Sequence, residues 1–202
     1  MANRESTFKN MVVTLFLVTF FAAAALGFVY DMTKEAIELA KMKAQSEAIE
    51  QVLPDFDELG EVYKVPVKAG EDSIQIFPAY ENGTLVGVAV RTYTNNGYSG
   101  YISVMAGMDQ SGNFTGYEVI EHAETPGLGS KMTDWFKSET NPDQRVIGKN
   151  PESTNFEVKK DGGDIDGITA STITSRAFLD ALERAYQAYE EKQKEITGSS
   201  GN

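Results

Sequence analysis

The chain of 202 residues has no cysteine, one histidine (His122) and one tryptophan (Trp135). Without cysteine there is no disulfide, thiolate zinc site, iron–sulfur cluster or cysteine nucleophile, and a single histidine excludes a His-rich metal centre. His122 is the one available base for a serine triad, and no G-x-S-x-G elbow accompanies it. The lack of cysteine fits an oxidising exterior compartment without requiring one. Positive charge is also scarce: Lys and Arg total 18 against 30 Asp and Glu, a formal net charge of −12. No basic patch stands out to neutralise phosphates, which argues against a nucleic-acid partner. The acidic run Asp161, Asp164 and Asp166 does not have EF-hand spacing. Counting from Asp164, Thr169 takes the place of the required glycine and Ser175 that of the glutamate.

What is present begins at the front. Met11 to Tyr30, MVVTLFLVTFFAAAALGFVY, carries no charge and lies between Lys9 and Asp31; about 20 such residues cross a bilayer's hydrocarbon core. A cleaved signal peptide is the competing reading, with Arg4 and Lys9 as its basic region and Ala22 to Ala25 as its cleavage site. The length favours an uncleaved anchor, because signal cores are usually about 7–15 residues. Arg4 and Lys9 precede the span, whereas Asp31, Lys34 and Glu35 nearly cancel after it. The positive-inside rule then predicts a cytoplasmic N-terminus and an exterior remainder.

From Met32 to Leu53 the alanines and aliphatics Ala36, Ala40, Ala44, Ala48, Ile49 and Val52 recur at helical spacing, and Pro54 stops the run. The pattern then changes to period two in Tyr63/Val65/Val67, Ile74/Ile76, Val86/Val88/Val90, Ile102/Val104/Ala106/Met108 and Tyr117/Val119, which predicts half-buried strands. Asn82-Gly83 is a hairpin signal and Asp109 to Asn113 a second turn. Ser130 to Lys137 reads as a short helix, Phe156 to Lys160 as a last strand and Thr172 to Lys192 as the closing helix. The expectation is an α+β domain with an antiparallel sheet and packed helices, preceded by one transmembrane helix. Its divisions are a cytoplasmic segment 1–10, a span 11–30, a stalk helix 31–54, an exterior domain 55–194 and a disordered tail 195–202.

The most telling stretch runs from Asp161 to Arg176, DGGDIDGITASTITSR: an acidic, glycine-rich turn leading into a hydroxyl-rich helix start. The first N–H groups of a helix have no intrahelical acceptor and lie at the positive end of its dipole, so a phosphate is stabilised there without lysine. Thr169, Ser171, Thr172 and Thr174 all offer hydroxyls. Composition by itself favours one of them being an N-cap and nothing more, because caps are common and phosphate sites are rare.

Asp166, Thr169, Ala170, Ser171 and Thr172 resemble the flavin-attachment site of the FMN-binding domain family, where a Ser/Thr-Gly-Ala-Thr motif with an aspartate three residues earlier carries FMN on its final threonine. This chain has Ala170 for the glycine and Ser171 for the alanine, and the Cβ of Ala170 matters if that position needs φ > 0. Gly97 to Ile102, Val104 to Asp109, His122-x-Glu124-Thr125-Pro126-Gly127-Leu128-Gly129, Asp134-Trp135 and Val158 to Asp164 follow in the order seen in G subunits of Rnf-type electron transport complexes. The resemblance spans about residues 83 to 190. The flavinylated C subunit of the sodium-translocating NADH:quinone reductase is a relative and the alternative assignment.

The resemblance implies one covalent FMN in a phosphoester to Thr172, with Ser171, Thr169, Glu124, Thr125, Gly127, Leu128, Gly129 and Ser99 around it, installed from FAD by a magnesium-dependent flavin transferase. It implies an electron carrier with no catalytic residue of its own, working with the other membrane subunits of a ferredoxin:NAD oxidoreductase coupled to ion translocation. The protein is expected in the inner membrane with its main domain periplasmic. By itself the loop reads as an ordinary surface loop leading into a helix; with the resemblance it is expected to contact the ring, Gly127 and Gly129 letting backbone approach it, Pro126 stiffening the loop, Leu128 supplying an apolar contact and Thr125 a hydrogen bond. His122 reads as a satisfied strand-end histidine and Trp135 as packing. A flavin-free anchored binding or sensor module is the alternative from another class.

Overall fold

A computed structural model describes residues 7–66 and 73–199, with side chains described as far as residue 193. Residues 1–6 of the expected cytoplasmic segment, Val67 and residues 200–202 of the expected tail lie outside this range. The chain divides into two compact units, Met1–Ala44 and Gln45–Asn202.

Helix α1 spans Phe8–Val52. Its early part contains an 18-residue window of mean hydropathy 2.5 with none of it buried, and Leu15, Phe16, Phe20, Phe21 and Phe28 are all exposed. A helix apolar on every side has no polar face to offer water, and lipid is the solvent that suits it. The hydroxyls of Thr19 and Thr33 donate to the carbonyls of Leu15 and Val29, each at 2.9 Å, so neither needs water.

The second unit is built on a six-stranded antiparallel sheet of β1 (Glu58–Leu59), β2 (Tyr63–Val65), β3 (Ile74–Glu81), β4 (Thr84–Gly97), β5 (Gly100–Met108) and β6 (Phe114–His122). The order is β1-β3-β4-β5-β6, with β2 also pairing β3. Asn82 (φ 50°) and Gly83 (φ 76°) make the β3–β4 turn in the left-handed geometry that an Asn-Gly pair tolerates. At the β5–β6 turn Asp109 accepts from the N–H groups of Ser111 and Asn113.

The central strands β3, β4 and β5 are not half-buried, as period two suggests, whereas β2 and β6 are. Seven consecutive residues of β5, Ile102 to Met108, are buried, because both faces of the sheet are covered. On one face α3 (Thr172–Ser199) packs Phe178, Leu182, Ala185 and Tyr189 against Val88, Val90, Val104 and Ala106. On the other, Ala48, Ile49 and Val52 from the end of α1 meet Phe77, Ala89 and Met105. Of the helical stripe expected after the membrane, only these last turns are buried, while Ala36, Ala40 and Ala44 are exposed. The Val52 carbonyl, one of the orphan acceptors at a helix end, receives the Thr115 hydroxyl at 2.5 Å.

Beyond β6 a 3-10 turn (Gly129–Lys131) leads into the short helix α2 (Met132–Trp135), whose Met132 carbonyl accepts the phenol of buried Tyr117 at 2.7 Å. Burial pushes that phenol's pKa far above its ordinary value. Phe156 to Lys160 does not form the expected strand. Lys159–Asp161 closes a 3-10 turn, Gly162 sits at φ 96°, and Gly163 lies so close to Glu157 that a Cβ there would meet its backbone. The chain therefore doubles back at once, leaving a single parallel bridge between Val158 and Ile165.

Candidate functional site

Three segments converge on a cavity of about 380 Å³: the β4–β5 hairpin tip, the loop after β6 and the start of α3. The hairpin places Tyr98, which is 70% exposed, at its tip between the paired residues Gly97 and Gly100. The loop contributes Glu124, Thr125, Leu128 and Gly129, and the helix start contributes Ala170 to Thr174.

The loop is tight. The Thr125 carbonyl accepts from the N–H groups of Leu128 and Ser130, and the Gly127 N–H donates to the Ser130 hydroxyl at 2.9 Å. The two glycines serve different ends. Gly127 has φ 74° with open space where a Cβ would sit, so its backbone angle is what demands glycine. Gly129 is buried, and a Cβ on it would run into the Glu124 carboxylate and lie 2.7 Å from the Thr174 hydroxyl.

At the helix start, Ala170 has φ 62°, a left-handed angle uncommon outside glycine. It turns the chain so that the Ser171 N–H reaches the Ile168 carbonyl at 3.0 Å and α3 begins at Thr172. Ser175 secures this turn by accepting the Ile168 N–H at 2.8 Å and donating to the Ser171 carbonyl at 2.9 Å.

The four candidate hydroxyls are thus sorted by their surroundings. Thr174 is 1% exposed and donates to Glu124 Oε2 at 2.6 Å. Ser171 lines the cavity but is buried, and Thr169 is exposed outside it. Thr172 is half-buried and lines the cavity, and among the described residues no carboxylate or imidazole hydrogen-bonds its hydroxyl.

The acidic turn before the helix is held by charge. Arg176 grips Asp161 with two bonds of 2.6 and 2.7 Å, and this pairing keeps the Asp161 carboxyl below the ordinary range. Lys159 bridges Asp143 and Asp166, and its hydrogen bond holds the Asp143 carboxyl low as well. Both pairs are largely exposed and are screened by salt. The Asp166 carbonyl accepts Trp135 Nε1 at 2.9 Å, so Trp135 packs and ties α2 to this turn. His122 ends β6, where its Nδ1 accepts the Glu124 N–H at 3.1 Å. Among the described residues no cluster of three or more His, Asp or Glu is placed to hold a metal.

Of the residues expected at the site, Thr172, Ser171, Glu124, Thr125, Leu128 and Gly129 are brought together around the cavity. Thr169, Gly127 and Ser99 are not in its lining; Ser99 instead gives its N–H to Glu124 Oε1 at 2.8 Å. Tyr98 and Ile173 line the cavity and were not read from the sequence. Their signal is present: Tyr98 lies in the same Gly-Tyr-Ser-Gly turn as Ser99, and Ile173 is an apolar residue 48% exposed beside Thr172.

The cavity's size falls within the range of small-molecule sites, and its chemistry suits a flat, partly polar ring tethered through a phosphate. Tyr98, Leu128 and Ile173 offer exposed apolar surface, and the first-turn N–H groups of α3 lack intrahelical acceptors beside Thr172.

Comparison with known proteins places an FMN-binding domain over this cavity. Residues 97–187 match the FMN-binding domain family. The G subunit of the ion-translocating oxidoreductase complex of Aliivibrio fischeri (strain ATCC 700601 / ES114) is 34% identical over 95% of this chain and 94% of its own length. The corresponding G subunit of Cronobacter sakazakii is 36% identical over 89% of this chain and 88% of its own. The G subunit of the Na(+)-translocating ferredoxin:NAD(+) oxidoreductase complex of Acetobacterium woodii is 30% identical over 89% and 90%.

Proposed function

The chain belongs to the family of G subunits of ion-translocating oxidoreductase complexes, and on that ground we propose that it is a membrane-anchored electron carrier holding FMN covalently on Thr172. The single observation that carries the attachment reading is the sorting of hydroxyls at the start of α3. Thr172 alone of the motif's hydroxyls both lines the cavity and escapes burial, whereas Thr174 is bonded to Glu124.

The flavin supplies the redox chemistry when bound, and the protein's part is holding, orienting and shielding it. The first N–H groups of α3 would hold the phosphate. Tyr98, Leu128 and Ile173 offer apolar surface to the ring, and Thr125 offers a hydroxyl. A threonine hydroxyl is a poor nucleophile without a base, which supports an external activator, a magnesium-dependent flavin transferase. In that step the Thr172 Oγ–P bond forms as the pyrophosphate P–O bond of FAD breaks, AMP departs, and the hydroxyl proton passes to a base of the transferase. Electrons then pass between neighbouring redox subunits of an Rnf-type complex coupled to ion translocation. The basic residues Arg4 and Lys9 before the span support a cytoplasmic N-terminus and a periplasmic flavin domain.

The test is peptide mass spectrometry of the full chain coexpressed with the transferase. FMN mass is expected on the peptide carrying Thr172, absent from Thr172→Ala and present in Thr169→Ala. Flavin on another hydroxyl would refute the assignment to Thr172, and a flavin-free wild type would refute covalent attachment altogether.

A further inference from the structure

The hairpin, the loop and the helix start around the cavity are joined by one side chain. Glu124 is 5% exposed and has both carboxylate oxygens engaged, Oε1 by the Ser99 N–H at 2.8 Å and Oε2 by the Thr174 hydroxyl at 2.6 Å. Two glycines make room for it. A Cβ on Gly97 would come within 2.7 Å of Oε1, and one on Gly129 would strike Oε2. A carboxylate withdrawn from water is costly unless hydrogen-bonded, and bonds to a charged acceptor are roughly twice as strong as neutral ones. Glu124 therefore links segments 25 and 50 residues away in the chain with stronger bonds than an amide or hydroxyl would make.

The segments it links are those that line the cavity. Tyr98 adjoins Ser99, and Leu128 lies four residues after Glu124 in the same loop. Thr172 sits two residues before Thr174, a spacing at which helical side chains point in different directions. Both line the cavity, but the Thr174 hydroxyl is buried and bonded to Glu124, whereas among the described residues no carboxylate takes that of Thr172.

We infer that Glu124 is a positioning residue for the flavin: acting through Ser99 and Thr174, it sets the attachment hydroxyl of Thr172 in register with Tyr98 across the cavity. This rests on the reading that Thr172 carries FMN. Thr174 is accordingly the anchor of the attachment turn and is not itself an acceptor of flavin.

The experiment uses the full chain in detergent with FAD, magnesium and the transferase. It follows the rate of flavin attachment by fluorescence of the denatured band, the visible circular dichroism of the attached flavin, and the melting temperature of each variant. Thr174→Val, which keeps the shape and removes the donor, is expected to slow attachment about tenfold and to change the flavin's dichroism. Thr174→Ser should restore both. Glu124→Gln, which keeps the shape and loses the charge, should fall between wild type and Thr174→Val, and it decides the matter if Thr174→Val does not fold. A purely structural bond would lower the melting temperature and leave the dichroism of the attached flavin unchanged. Wild-type attachment rate and dichroism in folded Thr174→Val, or in Glu124→Gln, would overturn the inference while leaving Thr172 as the attachment site. A wild type that takes up no flavin would overturn the attachment reading and this inference with it.

Discussion

Ala170 holds a backbone angle that an L-residue adopts at a cost of about 1–2 kcal/mol, and it does so one residue before Ser171 and two before the proposed attachment threonine. The left-handed turn is what brings the Ser171 N–H onto the Ile168 carbonyl and starts the helix in place. Glycine at this position would remove the Cβ penalty and add some freedom to the unfolded chain. Because the first effect exceeds the second, Ala170→Gly is expected to stabilise the domain by up to about 1 kcal/mol. It should be seen as a higher urea midpoint with an unchanged slope; a lower midpoint would contradict the left-handed assignment. The same residue shows what was legible. The sequence identifies Ala170 as the departure from the family's glycine, but only the folded turn gives it φ 62°. Likewise the hydroxyls of Thr169, Ser171, Thr172 and Thr174 are equivalent as letters. They separate once Glu124, 50 residues earlier than Thr174, reaches Thr174 and leaves Thr172 alone.

Among the elements, the contact that shapes the sheet is the end of α1 seated on β5 and β6. Gly107 has the Val52 carbonyl directly where a Cβ would go, and Gly116 has the Val52 Cα at 3.0 Å. Backbone cannot give way as a flexible side chain does. Gly107→Ala is therefore expected to destabilise the domain by about 1–3 kcal/mol, and Gly116→Ala by less, both measured by urea denaturation of the detergent-solubilised chain. Equal stability of Gly107→Ala and wild type would mean that α1 does not dock there. Period-two alternation located β3 to β6 correctly but assigned the central strands β3 to β5 one wet face. That error has a physical cause: the alternation records a polar partner for each apolar residue only when water covers one side, and here α3 and the end of α1 cover both. The lost strand at Phe156 to Lys160 has a similar cause, since Gly162 and Gly163 fold the segment back before a partner strand can run beside it.

For the whole molecule, the anchor and the charge distribution lead to a prediction of topology. With Arg4 and Lys9 before an uncharged span, protease added to the outer face of spheroplasts is expected to digest the bulk of the chain. Intact mature protein should begin at its own N-terminus, and protection of the domain, or a start near Ala25, would reverse the assignment. The span, the strand-rich middle, the closing helix and the hydroxyl cluster at its start were all determined by the sequence itself. Each depends on neighbours within a few residues: an uncharged run, an alternation, a periodic stripe, a turn of aspartates and glycines. Tertiary structure alone decided which of the cavity's hydroxyls escapes burial and which is bonded, that Glu124 bridges Ser99 and Thr174, that Gly129 leaves room for that carboxylate, and that Tyr98 and Ile173 join the site. Those facts depend on residues tens of positions apart meeting across the sheet and helix, and local spacing carries no record of which distant side chain will fill the space beside it.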